Sequence, residues 1–67
     1  MHAMAHFVAR DETYTPAVWG TVRVESLAQL ADEYQRFVRT NGRQGDRVYT
    51  CDVTVDGLSL LLASSHA

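Results

Sequence analysis

The sequence predicts an α+β domain in which one helix packs on a four-stranded, mainly antiparallel sheet, in the order strand, strand, helix, strand, strand. Three observations favour this two-layer fold. One segment has helical periodicity together with start and stop signals, two strand-like runs surround an Asp-Gly dipeptide, and alternating runs precede the helix. A chain of 67 residues has room for one hydrophobic core. We therefore expect residues 1–67 to form a single small domain.

The first predicted strand covers residues 4–10, where apolar and polar side chains alternate weakly. Phe7 and Ala9 share one face of this strand, and Val8 lies on the other face with His6 and Arg10. Asp11 and Pro16 supply turn chemistry immediately afterwards, which indicates a first hairpin. The alternation does not define the register of this hairpin.

The second predicted strand precedes the helix, and Val18, Val22 and Val24 form its inward face. Gly20 indicates a bulge or a close packing contact. The alternation turns Trp19 away from the core. Since tryptophan is enriched in binding hot spots, Trp19 is either an interface anchor or an aromatic lid on the hairpin loop.

The helix is the most clearly marked element of the chain. Ser26 and Gln29 have the spacing of a capping box, in which each side chain bonds a free amide of the first turn. Asn41 and Gly42 end the helix, and Gly42 is expected to take the left-handed conformation. The predicted core stripe consists of Leu27, Leu30, Tyr34, Phe37 and Val38.

A second hairpin is predicted around Asp56-Gly57, which is a preferred type I′ dipeptide. With a two-residue loop, the expected cross-strand pairs are Val55 with Leu58, Val53 with Leu60, and Cys51 with Leu62. Residues 58–63 carry few charges that would protect an edge strand. We therefore expect this strand to pair with a second copy or with a strand of a partner.

The face of the sheet that the helix leaves open is predicted to be partly apolar. We place on it Val8, Trp19, Val48, Leu61 and Ala63, among threonines, arginines and Asp52. This mixture is typical of interaction surfaces. Trp19, Val8 and Leu61 are the expected apolar anchors of a protein-binding surface.

Four of the six basic residues follow one another between the helix end and the next loop, namely Arg36, Arg39, Arg43 and Arg47. They could contact an acidic partner surface or phosphate, or they could complement the helix dipole as a solvated face. The formal net charge of −2 argues against a nucleic-acid binder, whose domain is usually strongly basic. A nucleic-acid-associated regulator is therefore the second hypothesis.

Catalytic, cofactor and metal signals are weak, and we expect no residue in any of these roles. The histidines, His2, His6 and His66, lie near the termini without ligands at metal-site spacing. Cys51 faces the predicted core, where a thiol is unreactive. No glycine pattern resembles a phosphate cradle. A small oligomeric enzyme with an intersubunit site is the third hypothesis.

Composition suggests the setting of the protein. One cysteine cannot form an intramolecular disulfide, and there is neither a signal-peptide pattern nor a membrane span, so we expect a cytosolic protein. All six basic residues are arginine, which is typical of a GC-rich bacterial or phage coding background. The favoured hypothesis is a non-enzymatic protein-binding module, a regulator or inhibitor that occludes a surface of a larger protein and could also form a homodimer.

Overall fold

The computed structural model describes residues 2–64, which form a three-stranded antiparallel sheet, a small two-stranded hairpin and two helices. The α+β class is therefore confirmed, whereas the predicted single four-stranded sheet with one helix is only roughly matched. The elements in chain order are β1 (Ala3–Arg10), β2 (Pro16–Val24), α1 (Leu27–Asn41), β3 (Arg43–Gln44), β4 (Arg47–Val48), β5 (Thr50–Asp56) and α2 (Leu58–Ser64). Neither helix described in residues 2–64 has the length and apolar character needed to cross a membrane.

β1 is the central strand of the main sheet, whose order is β2-β1-β5. Phe7 lies opposite Gly20 of β2 and Val53 of β5, and the ladder with β2 shifts register only between Ala9 and Arg10. The predicted first hairpin and its two faces are confirmed. On the side of β1 that faces the helices, Ala3, Ala5 and Ala9 are buried. Their side chains are small, so the helices can pack close to the central strand and cover them.

α1 begins and ends near the predicted residues. The Ser26 hydroxyl accepts a hydrogen bond from the Gln29 amide at 3.0 Å, and the Gln29 side chain accepts one from the Glu25 amide at 2.8 Å. Gly42, however, is right-handed, with φ −73°, and not left-handed as predicted. A Cβ there would lie 2.6 Å from the Val38 carbonyl oxygen. Glycine is therefore favoured because there is no room for a side chain, and not because of its backbone conformation.

The C-terminal hairpin prediction is wrong, because the chain after Gly57 is the helix α2. Asp56-Gly57 does turn the chain, with Gly57 at φ 85°, and the Gly57 carbonyl accepts from the Leu60 amide at 2.9 Å. Leucine favours helices, and the α2 segment has no β-branched residue. The predicted strand partners are replaced by residues of β1, since Val55 faces Ala5, Val53 faces Phe7, and Cys51 faces Ala9.

The loop expected directly after the helix is partly regular. Arg43 pairs with Val48 and Gln44 with Arg47 in a short hairpin whose turn holds Gly45 at φ 61°. One residue, Gly42, separates this hairpin from the end of α1. At its base, the Tyr49 amide donates a hydrogen bond to the Gly42 carbonyl at 2.9 Å. It forms a second sheet of its own and extends the C-terminal end of the helix.

The core is small for the length of the chain. Its buried members are Ala3, Ala5, Phe7, Ala9, Val24 and Leu61, with half-buried Leu27, Leu30, Tyr34 and Phe37 of α1 packed on the cluster. The Cα radius of gyration is 13.1 Å, against about 11 Å for a compact chain of this length. Much apolar surface therefore stays accessible.

Candidate protein-binding surface

The face of the main sheet opposite the helices is open, as predicted. Val8 lies at its centre on β1, and its direct neighbours are Trp19 on β2 and Asp52 on β5. Trp19 is 69% exposed. The alternation in the sequence therefore oriented both Trp19 and Val8 correctly. The register that places them side by side, which the alternation did not define, comes from the structure.

A polar cluster adjoins this pair at the end of β1. The Asp52 carboxylate accepts hydrogen bonds from Arg10 Nε at 3.3 Å and from the Tyr14 hydroxyl at 3.4 Å. The Arg10 guanidinium lies 4.9 Å from the centroid of the Tyr14 ring. We call Val8, Arg10, Tyr14, Trp19 and Asp52 together the Trp19 surface.

Sequence reasoning missed the part of Tyr14 in this surface. Tyr14 lies in the loop between β1 and β2 and is held at φ 63°, a left-handed conformation that costs free energy for a residue with a Cβ. Its amide donates to the Asp11 carbonyl at 2.8 Å, and its own carbonyl accepts from Arg10. No periodicity marks such a loop residue, so only the folded loop shows where it lies.

Asp11 organises the loop that carries Tyr14. Its carboxylate accepts from the amides of Thr13 and Thr15 at 2.9 Å and from the Thr13 hydroxyl at 2.8 Å. These bonds, that from the Thr15 amide first, hold the pKa of Asp11 below its usual value. The charged form of Asp11 therefore stabilises the folded loop.

His6 lies on the same open face, nearer the other end of β1. Its Nδ1 is 3.3 Å from the Thr21 hydroxyl and its Nε2 is 2.8 Å from the Asp56 carboxylate. The order hydroxyl, imidazole, carboxylate also occurs in hydrolytic triads. Here the side chains of His6 and Asp56 are 41% and 81% exposed, so the pair lies at the solvent-accessible surface of the sheet. We attribute the contacts to cross-strand pairing.

Metal and thiol chemistry find little support in the part of the chain that the structure describes. Among residues 2–64 there is no group of three or more His, Cys, Asp or Glu side chains that could hold a metal ion. His66 lies outside the described residues. Cys51 is half-buried on the helix side, and burial, followed by the charge of Asp52, raises the pKa of its thiol.

The placement of Leu61 as an exposed anchor is wrong. Leu61 is 2% exposed and belongs to the core cluster, because its segment is helical and turns back over β1. Val48 and Ala63 were also placed on the open face, but Val48 lies in β4 and Ala63 in α2. The larger apolar side chains of the open face are therefore Trp19, Val8 and the half-buried Met4, which lies four residues before Val8 on β1.

The four arginines predicted as one cluster do not form one surface. Arg36 and Arg39 lie on α1, on the side of the sheet opposite Trp19, and Arg36 is 3.4 Å from Glu33. In the β3–β4 hairpin, Arg43 pairs with Val48 and Arg47 pairs with Gln44. Neighbouring pairs in a ladder point to opposite faces, so Arg43 and Arg47 lie on opposite sides of the hairpin. Within residues 2–64, no ion pair within 4 Å involves Arg39, Arg43 or Arg47.

A groove lies on the helix side, between α1 and β2. It encloses about 190 Å³ and is lined in part by Val22, Arg36 and Asn41. Gly20 also lines the groove, and a Cβ at this position would lie 3.3 Å from the Phe37 ring. This confirms the close packing contact expected at Gly20. The groove is smaller than the pockets that usually hold small molecules.

Known proteins add no assignment to this geometry. No protein-family model, no curated protein and no solved structure matches the chain.

Proposed function

We propose that this chain is a small non-enzymatic protein-binding module, a regulator or inhibitor that occludes a surface of a larger protein or complex through the Trp19 surface. The observation that carries the proposal is a tryptophan, 69% exposed, on the sheet face opposite both helices of residues 2–64. Leaving so large an apolar side chain in water forgoes its burial free energy, which a partner surface would recover.

The make-up of the Trp19 surface supports a protein partner. Tryptophan, tyrosine and arginine are the residues enriched in binding hot spots, and Trp19, Tyr14 and Arg10 all belong to it. Val8 and Trp19 form the apolar centre, and Asp52 pairs with Arg10 at the rim. An apolar centre with a polar rim is the usual anatomy of a protein interface.

The charged contacts of the proposal differ from those expected from the sequence. Arg36 and Arg39 lie on the other side of the sheet from Trp19, so they cannot surround it in one flat contact. In the proposed surface, Arg10 is the arginine that lies beside the apolar centre and supplies the charged contact. Arg39, Arg43 and Arg47 remain the candidates for the second hypothesis, binding to nucleic acid.

The test is a pull-down from native cell lysate with the tagged wild type, with Trp19→Ala and with Leu60→Ala as a matched control on α2. We expect a protein that the wild type and Leu60→Ala retain at high salt and that Trp19→Ala loses. Retention by all three variants would reject the Trp19 surface. Nucleic acid that is lost as the salt concentration rises would favour the second hypothesis, because phosphate contacts are salt-sensitive.

A further inference from the structure

In the part of the chain that the structure describes, no strand pairs with the outer edge of β5. Among residues 2–64, β1 is the one strand that pairs with β5, and their register is regular over all seven β5 residues. α2 does not shield the outer side, because Gly57 packs against Ala3 and the helix returns over β1. The other edge strand, β2, has Pro16 at its start and a register shift beside it. β5 therefore offers the longer regular edge for pairing.

Exposed aliphatic residues are spaced symmetrically in sequence about Val53, one within β5 and one in each of the elements that adjoin it, β4 and α2. Val53 at the centre of β5 is 36% exposed, Val48 just before β5 is 59% exposed, and Leu58 just after it is 42% exposed. Val48 and Leu58 are each five residues from Val53. In an antiparallel pair of β5 strands centred on Val53, the C-terminal end of one strand lies beside the N-terminal end of the other. Leu58, after the first end, and Val48, before the second, would then come from different copies.

We propose that two copies of this chain associate edge to edge through β5, antiparallel, with the two-fold axis at Val53. The six strands then form one continuous sheet in the order β2-β1-β5-β5-β1-β2. In such a dimer Val53 faces its own copy, and Cys51 faces Val55 on the helix side. A two-fold contact of this kind uses the same patch on both copies, so no further copies add to it.

Charge selects this register among the neighbouring ones. The odd-numbered side chains of β5 point to the helix side of the sheet, and residues directly opposite each other share a face. The helices of both copies therefore lie on one side of the sheet only if odd residues pair with odd residues. Centred on Val53, the strands place Asp52 opposite Thr54 and Asp56 opposite Thr50. A centre at residue 52 would oppose Asp52 to itself, and a centre at residue 54 would oppose Asp52 to Asp56. Like charges directly opposite are destabilising.

The small core gives the association a physical reason. A 67-residue chain buries only about 60% of its unfolded surface, and three of the six buried residues of this chain are alanines. One existing hydrogen bond already engages the backbone of β5, since the Tyr34 hydroxyl donates to the Cys51 carbonyl at 2.6 Å. A carbonyl oxygen has two lone pairs, so this bond leaves one for the ladder.

The dimer extends the open face without depending on the function proposed for it. Five strand spacings separate the two β2 strands, so the two Trp19 side chains would lie about 24 Å apart on the same side of the sheet. The molecular mass reports the dimer, whereas the pull-down reports the Trp19 surface. Failure of one proposal is therefore distinguishable from failure of the other.

The first test is sedimentation equilibrium of the full chain from about 1 μM to about 1 mM, a range that covers weak and moderate dissociation constants. We expect the mean mass to rise from 7.5 kDa toward twice that value. Thr54→Asp places carboxylates opposite Asp52 of the other copy and should raise the dissociation constant about tenfold, while Thr54→Arg should lower it. Thr21→Asp is the matched control, because both threonines flank His6, on opposite strands.

A constant mass of 7.5 kDa in the wild type over this range would overturn the proposal. Equal weakening by Thr21→Asp and Thr54→Asp would also overturn it, because the contact would then not lie on β5. Cross-linking tests the register independently. In a Cys51→Ser background, Val53→Cys should form a disulfide-linked dimer under mild oxidation, and Thr54→Cys should not, since its two copies lie too far apart. Equal cross-linking of the two variants would reject the axis at Val53.

Discussion

The two faces of the main sheet are built from alternate residues of the same three strands, yet they differ in almost every physical respect. On the helix side, Ala5, Phe7 and Val24 are buried and the contacts are apolar. On the open side, Val8 and Trp19 lie among His6, Arg10 and Asp52, whose side chains pair across strands. The free energy of folding is therefore expected to come mainly from one face, which leaves the other free to bind.

The largest expected effect concerns Phe7 on the helix side. Its ring stacks on Phe37 with 5.2 Å between centroids, and the side chain is buried. Phe7→Ala should lower the free energy of unfolding by about 3–5 kcal/mol, enough to unfold most of a domain this small. Urea unfolding followed by circular dichroism measures it.

Val8→Ala is the matched control for that change, since Val8 is the next residue along β1 and points to the open side. It should cost about 1 kcal/mol or less. If Phe7→Ala is too unstable to measure, Phe7→Leu gives the same comparison at a smaller cost. Equal losses at positions 7 and 8 would contradict the division of the sheet into two faces.

The second effect compares neighbouring leucines on α2, the element that the sequence did not predict. Leu61 is buried against β1, while Leu60 is 40% exposed. Leu61→Ala should lower the free energy of unfolding by about 2–5 kcal/mol, and Leu60→Ala by about 1 kcal/mol or less. The same denaturation experiment measures both, and a larger loss at Leu60 would show that this segment packs as the predicted strand.

A smaller effect is expected at Trp19. Because the side chain is exposed, Trp19→Ala should change the free energy of unfolding by about 0.5 kcal/mol or less while removing partner binding. Trp19 is the only tryptophan, so wild-type fluorescence reports its surroundings directly. Emission from the free protein should be that of indole in water. Blue-shifted emission from a proven monomer would show that Trp19 is buried in the core and would contradict its place on the open face.

The smallest effect is the pH dependence of the loop beside the open face. The pKa of Asp11 is lowered in the folded state, so its contribution is complete above the unfolded value of 3.8 and is lost as the pH falls through the lower folded value. Asp11→Asn should therefore be less stable than the wild type at neutral pH, and the difference should shrink below pH 3.8. Urea midpoints at several pH values measure it.

Thr13→Ala tests the cause of that shift, because it removes the hydroxyl donor to Asp11 and keeps the carboxylate. It should reproduce part of the change seen in Asp11→Asn. A difference between wild type and Asp11→Asn that stays constant through the acid range would show that these hydrogen bonds do not shift the pKa of Asp11.

The sequence by itself determined the elements whose signals are local. The Ser26 cap, the helical stripe and the end at Asn41 define α1 because capping and periodicity act within a few residues. The alternation in β1 and β2 likewise oriented Phe7, Val8 and Trp19 correctly. These are properties of one segment and its own backbone, which is why they could be predicted before any tertiary contact was known.

Only the tertiary structure decided where β5 pairs and which element comes after it. The dipeptide Asp56-Gly57 turns the chain in either fold, but whether a strand or a helix comes next depends on which surface is free to bury it. β1 had one unpaired side for β5, and Leu61 then filled the space above Ala3 and Ala5. The same choice moved Leu61 from the proposed contact surface into the core, because burial is set by contacts between segments far apart in sequence.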